Sequence, residues 1–268
     1  MEYGNLGNAG VKVSRLCLGT MMFGGATNEQ DSIEIIHRAM DDGINFIDSA
    51  NVYNDGEAES ILGKAVSGRR DRVVIATKVF GARGDGPNDQ GNSRIHIFNE
   101  VENSLRRLDT DYIDIYMLHR RDYDTPLEES LEALTDLIRQ GKVRYAGCSN
   151  FYGYELAKAL WISDRNRLAR MAVVQPLYNI VNRDPEVDLF PACEKFGVGT
   201  MIYSPLARGV LAGKYLVGQE PPQGSRAARK DLRILITELR DESFEVAQAI
   251  KPLADAHGKT MTQFSLNY

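Results

Sequence analysis

The sequence has little of what would mark a disulfide scaffold or a metal site. Its three cysteines, Cys17, Cys148 and Cys193, are far apart and form no CxxC pair. An odd, scattered set reads as small apolar side chains in a reducing compartment. The four histidines, His37, His96, His119 and His257, form neither HxH nor HExxH, so no metal site is expected. No apolar run is long enough to span a bilayer. The opening MEYGNLGNAG lacks the charged-then-apolar layout of a secretory signal, and the expected location is the cytoplasm. A net charge of −5 gives no pull towards nucleic acid or an anionic membrane, and neither is expected as a partner. Oligomeric state is not legible. Two phosphate-binding fingerprints are also missing. LGTMMFGG follows the first strand-like run where an open dinucleotide-binding sheet would carry GxGxxG. The Gly-rich VFGARGDGPNDQGNS (79–93) is not followed by GK[ST], and reads instead as a substrate loop.

What is present is an alternation of buried strands and amphipathic helices. Strand-like runs are RLCLG (15–19), INFID (44–48), RVVIATK (72–78), YIDIYMLH (112–119), VRYAGCS (143–149), AVVQ (172–175) and GTMIYS (199–204). Between them, Ile33, Ile36 and Met40 repeat at helix spacing before Gly43. Leu131, Leu134, Leu137 and Ile138 do so before Gly141. Such alternation implies parallel strands with right-handed crossovers. Seven units in one run favour an α/β fold of the (β/α)8 TIM-barrel class, with an N-terminal hairpin in EYGNLGNAGVKVS as a plug. No linker or composition break divides the chain, so a single barrel domain over residues 1–268 is expected. The eighth strand is not evident: either RILIT (233–237) closes the barrel or the closing strand is missing. TMTQFSLNY reads as the opening of an amphipathic helix.

Four strand-end residues carry chemistry: Asp48, Tyr53, Lys78 and His119. Active sites of such barrels lie on the rim formed by strand C-termini. A buried lysine needs a counter-ion, for which Asp48 is placed. A lysine beside Tyr53 would favour phenolate and fit the tyrosine to give or take a proton. A neutral His119 would donate a hydrogen bond to the same oxygen. With no metal and no strong nucleophile other than Lys78, this suggests carbonyl reduction with hydride from a cofactor. A Schiff base on Lys78 is the competing chemistry, and an adjacent carboxylate that holds the amine charged opposes it. Arg120 and Arg121 follow His119. Arg120 would meet a polar or anionic substrate; a structural salt bridge is the alternative for either. Met21, Met22 and Phe23 would form an apolar wall, Trp161 would pack in a helix, and RAARKDLR (226–233) would be a solvated face.

The segment FIDSANVYNDGEAESILGKAV, followed by IATK, SLRRLDTDYIDIYMLHR, GKVRYAGCSNF, VQPLYNIVNR and YSPLARGVLAGKY, resembles the aldo-keto reductase superfamily. The resemblance implies a (β/α)8 barrel that binds NADPH, or NADH, and reduces an aldehyde or ketone with Tyr53 as general acid. It gives Asp48, Tyr53, Lys78 and His119 the catalytic roles, with Tyr53, His119 and Arg120 towards the substrate. It places Gly19, Thr20, Met21, Asp48, Ser149, Asn150, Gln175, Tyr203, Ser204, Leu206, Arg208 and Gly209 around the cofactor. Ser149, Asn150 and Gln175 would bind the carboxamide, Tyr203 would stack on the nicotinamide, and the loop from Ser204 would follow the pyrophosphate. The short polar residues and arginines lean towards sugar-like carbonyls. The potassium-channel β-subunits share this resemblance, so a regulatory binding protein with vestigial reductase activity is the alternative. The family's basic loop for the 2′-phosphate has no counterpart here, and a C-terminal truncation relative to the family is expected.

Overall fold

The computed structural model describes residues 1–215 and 219–268. They form two compact units. One comprises Met1–Gln175 with Leu189–Met201, the other Pro176–Asp188 with Ile202–Tyr268.

The first unit opens with an antiparallel hairpin, β1 (Tyr3–Asn5) and β2 (Lys12–Ser14). Seven parallel strands follow: β3 (Leu18–Gly19), β4 (Phe46–Asp48), β5 (Val74–Val79), β6 (Ile113–Leu118), β7 (Val143–Ser149), β8 (Met171–Gln175) and β9 (Gly199–Thr200). They pair in chain order. Helices α1 (Glu29–Asp41), α2 (Glu57–Val66), α3 (Arg94–Leu108), α4 (Leu127–Arg139), α5 (Gly153–Asn166) and α6 (Leu189–Phe196) fill the crossovers. Their ends follow local chemistry. Asn28 caps α1 by accepting from the Asp31 amide, Ser93 caps α3 from the His96 amide, and Gly43 and Gly141 take positive φ just past α1 and α4.

Apolar side chains divide into two layers. The larger lies between sheet and helices and includes Ile36, Ile47, Leu62, Val101, Leu134 and Leu160. The smaller sits on the strands' inward faces: Phe46, Ala76, Ile115, Met117, Val173 and Met201, joined by Leu6 and Val13 from the hairpin region. The hairpin thus contributes the plug that its sequence suggested. The sheet is curled. β4 and β8 are four steps apart in strand order, and at roughly 4.8 Å per step a flat sheet would separate them by about 19 Å. Yet Gln175 Nε2 on β8 donates to Asp48 Oδ1 on β4 at 3.0 Å.

The second unit holds α7 (Leu232–Thr237), α8 (Asp241–Ala256) and α9 (Met261–Leu266), around a core that includes Val210, Leu211, Tyr215, Ile234, Ala247 and Ile250. Within this unit Tyr203 forms a parallel bridge with Leu177. RILIT lies in α7, whose first turn Asp231 caps, so it is not a closing strand. The described residues add no eighth parallel strand to the sheet. The segment from Thr260 is the helix α9, held by a reciprocal capping box between Thr260 and Gln263.

Two packing expectations fail. Trp161 is 57% exposed, with the Arg165 guanidinium over its ring. On α5 the inward face is set by Leu156, Ala159, Leu160 and Ser163, and position 161 faces outward. Phe23 is buried in the larger core layer, whereas Met21 and Met22 are half-buried.

Candidate active site

Asp48 ends β4, Lys78 is the penultimate residue of β5, and His119 directly follows β6. Parallel pairing brings these ends to one rim. Tyr53 reaches it from the turn after β4. That turn is unusual: Asn54, Asp55 and Gly56 all take positive φ. Non-glycine residues adopt this region rarely, asparagine and aspartate most readily. The Asn54 amide fixes the turn by donating to the Met21 and Phe23 carbonyls at 3.0 and 2.7 Å.

Lys78 is fully buried. Its ammonium donates to both Asp48 carboxylate oxygens (2.6 and 2.7 Å), to the Ser49 carbonyl (2.6 Å) and to the Tyr53 hydroxyl (3.2 Å). Burial pulls its pKa down, but the Asp48 carboxylate and the Tyr53 oxygen outweigh burial, and the pKa lies above the ordinary value. Lys78 is therefore a cation at neutral pH, not a free amine. Asp48 is held in turn by Gln175, and its main-chain carbonyl accepts from the amide and hydroxyl of Thr20 at 2.9 and 3.0 Å.

His119 is half-buried, and its ring meets that of Tyr53 edge-on with centroids 5.9 Å apart. Desolvation first, then the charges of Lys78 and Arg120, lower its pKa from 6.5 to about 3. The imidazole is neutral over the physiological range, with one N–H to donate. Its backbone is fixed from both sides: its amide donates to the Val79 carbonyl, and its carbonyl accepts from Asn150 Nδ2 at 2.9 Å.

Ser149 and Gln175 are register partners on β7 and β8, and the Ser149 hydroxyl donates to the Gln175 carbonyl at 2.8 Å. Asn150, at positive φ, donates its main-chain amide to that same carbonyl and its side-chain amide to Ser149 Oγ. Ser149, Asn150 and Gln175 thus form one polar group beside Asp48 and His119. Gly19 pairs with Asp48, and a side chain there would meet nothing within 4 Å, so the floor next to Asp48 is open. Thr20 is buried against Asp48 and Ser49.

Arg120 is exposed and lies over the Phe80 ring at 5.1 Å. Among the described residues no carboxylate is within ion-pair distance of it or of Arg121, which instead donates to the Asp122 and Thr125 carbonyls. The salt-bridge alternative therefore fails for both. The loop after β5 closes on itself through Gly91–Phe80 and Arg83–Asp89 main-chain hydrogen bonds, and Asn92 and Asp122 tie it to the loop after His119.

Tyr203, Ser204, Leu206, Arg208 and Gly209 lie in the second unit. There Ser204, Ala207, Arg208 and Gly209 take positive φ in tight turns, and Arg208 donates to Thr237. Arg229, Lys230 and Arg233 of the basic run are exposed, as a solvated face requires, and Arg226 departs from it. It is half-buried, and no carboxylate within the described residues is close enough to pair with it. Burial, then Arg233 and Arg208, hold its pKa below the usual arginine range. Asp231, the acidic group of the cluster, is taken by Arg233. A charge run without hydrophobic periodicity gave no sequence sign of this burial. All three cysteines are free thiols. Among the described residues no cluster of three or more His, Cys, Asp or Glu could hold a metal ion, and no helix is long and apolar enough to cross a membrane.

A family model described as the aldo/keto reductase family matches residues 15–268. The chain belongs to this family. The family member described here is 43% identical to a Bacillus subtilis (strain 168) protein named uncharacterized oxidoreductase YrpG, over 86% of this chain and 73% of that one. It is 38% identical to an Arabidopsis thaliana protein named probable voltage-gated potassium channel subunit beta, over 99% and 82% of the two chains. It is 34% identical to the versiconal hemiacetal acetate reductase of Aspergillus parasiticus, over 99% and 84%. As a family member it is an oxidoreductase, of a family that generally uses nicotinamide cofactors and acts on small-molecule carbonyl compounds.

Proposed function

We propose that this protein reduces an aldehyde or ketone to an alcohol with NADPH, or with NADH, and that Tyr53 is the general acid. One observation carries the reading: a buried ammonium, held by Asp48, donates to the Tyr53 hydroxyl beside a neutral histidine. When bound, the nicotinamide supplies hydride to the carbonyl carbon. The chain's part is to manage the oxygen. A phenol oxygen that accepts from an ammonium gives up its own proton more readily, because the cation stabilises the phenolate left behind. His119, with an N–H and no charge, is fit to donate to the same carbonyl oxygen and orient it. Asp48 neutralises Lys78 and fixes its direction.

The residues present fit a nicotinamide. Ser149, Asn150 and Gln175 bring hydroxyl and amide groups to one place, the donor and acceptor set a carboxamide needs, beside the open floor at Gly19. Thr20 and Met21 border that floor. In the second unit, Tyr203 supplies an aromatic face, the turns from Ser204 through Leu206 and Arg208 to Gly209 supply main-chain amides, and Arg226 with Arg208 is suited to a phosphate-bearing ligand. Arg120 favours substrates with polar or anionic groups, sugar-like carbonyls among them.

Tyr53→Phe tests the reading. Turnover of a reactive aldehyde should fall by about 10²–10⁴-fold, the range of a lost general acid, while nucleotide affinity stays. An unchanged rate would remove Tyr53 from the mechanism.

A second reading, a regulatory subunit that binds nucleotide and acts through a protein partner, draws on the likeness to the potassium-channel β-subunit over 99% of this chain. Robust turnover across an aldehyde panel would decide against it. Very slow turnover together with a stable protein complex would favour it.

A further inference from the structure

Beneath Asp48, Tyr53, Lys78 and His119 lies a buried polar network that the proposed chemistry does not use. Asn51 is fully buried two residues before Tyr53. Its main-chain amide donates to the Lys78 carbonyl at 3.1 Å, and its side-chain Nδ2 donates to Glu100 Oε2 at 2.7 Å. Glu100 projects from α3 and is 2% exposed. Arg107 and Arg83 lie 3.6 and 3.9 Å from its carboxylate. Arg107 also donates to Glu59 at 2.7 Å, and Glu59 accepts from Thr77, the residue before Lys78. On the far side of Tyr53, Arg83 pairs with Asp55 and donates to its carbonyl. Gly56 packs so closely on Arg107 that a β-carbon there would sit 2.7 Å from Arg107 Cδ. The turn that carries Tyr53 is therefore clamped on both sides to groups anchored by α3 and by the strand of Lys78.

We infer that Asn51 and Glu100 are positioning residues that set the 3.2 Å approach of the Tyr53 hydroxyl to Lys78, and through it the ease with which the phenol ionises. The proposal rests on the reading of Tyr53 as general acid. A buried carboxylate is stable only where it is compensated, and removing one partner costs more than the pair contributes. Glu100 therefore holds Asn51 in one place. Nothing else from α3 reaches the turn ahead of Tyr53 through a side-chain hydrogen bond among the described residues. The positive-φ turn at Asn54 and Asp55 is strained backbone that persists only where its surroundings hold it. Loosening Asn51 lets Tyr53 draw away from the ammonium.

The test uses the full chain and two readouts. Tyr53 ionisation is taken from tyrosinate absorbance, as the difference between each protein and its Tyr53→Phe partner. It needs no turnover, so failure of the reductase reading, seen as an inactive parent, is separable from failure of this one. The second readout is kcat against pH. Asn51→Ala should move the ionisation of Tyr53 upward and lower kcat by about 10-fold or more, as small misplacements of reacting groups do, with nucleotide affinity held. Glu100→Ala, or Glu100→Gln if the alanine variant does not fold, should shift the same ionisation. The double variant should do no more than the larger single change, because both act through one hydrogen bond. Ser163→Ala, which removes a buried hydroxyl bonded to the Ala169 carbonyl, should lower Tm and leave the ionisation in place. A folded Asn51→Ala variant with unmoved Tyr53 ionisation would overturn the proposal, as would strictly additive shifts in the double variant.

Discussion

Lys78 ties the whole site together through one side chain. Every oxygen it touches constrains another part of the site: Asp48 on β4, the Ser49 carbonyl, and the hydroxyl of Tyr53. Lys78→Met should cost about 3–5 kcal/mol of stability, because it leaves the Asp48 carboxylate buried without its cation. Urea unfolding would measure this, and turnover should be lost with it. His119 gives a second residue-scale expectation with a definite sign. Its folded pKa is about 3, against an ordinary 6.5. Between those values the unfolded chain binds the extra proton, so acidification through that window lowers stability. Tm measured from pH 7 to pH 4 should fall less steeply in His119→Gln than in the parent. That Asp48, Tyr53, Lys78 and His119 come together was legible in the sequence because each stands at or just past the end of an apolar run. Asn51 and Glu100 were not. They are 49 positions apart, both polar, and neither ends a strand in a way that signals a partner.

At the scale of elements, strands were legible because buried parallel strands are continuous apolar runs bounded by polar residues. All seven such runs overlap a strand of the sheet, β5 and β8 each extending one residue beyond theirs, and β9 retains only Gly199 and Thr200 of its run. RILIT was ambiguous for a physical reason: five residues with isoleucine and leucine satisfy strand and helix periodicity alike. The capping aspartate, Asp231, turns it into a helix. Trp161 was misread because its helix buries other positions. Gly147 offers the sharpest element-scale test. It sits on β7 beside a register shift, and a β-carbon there would lie 2.8 Å from Val173 and 3.0 Å from Met117. Gly147→Ala should destabilise the protein by about 1–3 kcal/mol through overpacking. It should also slip the pairing of Ser149 with Gln175, seen as weakened nucleotide binding.

For the molecule as a whole, the alternation of strand and helix spelled out the α/β architecture. The curl of the sheet agrees with the barrel class it favoured, but the particular contact of Gln175 with Asp48 was not legible, since it links residues 127 positions apart. Nor did it reveal that Arg226 alone of its basic run is half-buried while Arg229, Lys230 and Arg233 are exposed. A ligand that binds only the folded state raises stability by mass action, by about 2.7 kcal/mol at a hundredfold excess over its Kd. NADPH, titrated to saturation, should therefore raise Tm. Arg226→Gln should reduce that shift, while Arg120→Gln should leave it unchanged and lower kcat/KM for anionic aldehydes more than for neutral ones.

The central claim is that hydride and proton reach one carbonyl under the control of Tyr53. Single-turnover reaction with nucleotide deuterated at nicotinamide C4 tests it most directly. Deuterium is expected on the carbinol carbon of the product alcohol, with transfer nearly lost in Tyr53→Phe although the nucleotide still binds. Product without the label, or label transfer at the parent rate in Tyr53→Phe, would contradict it.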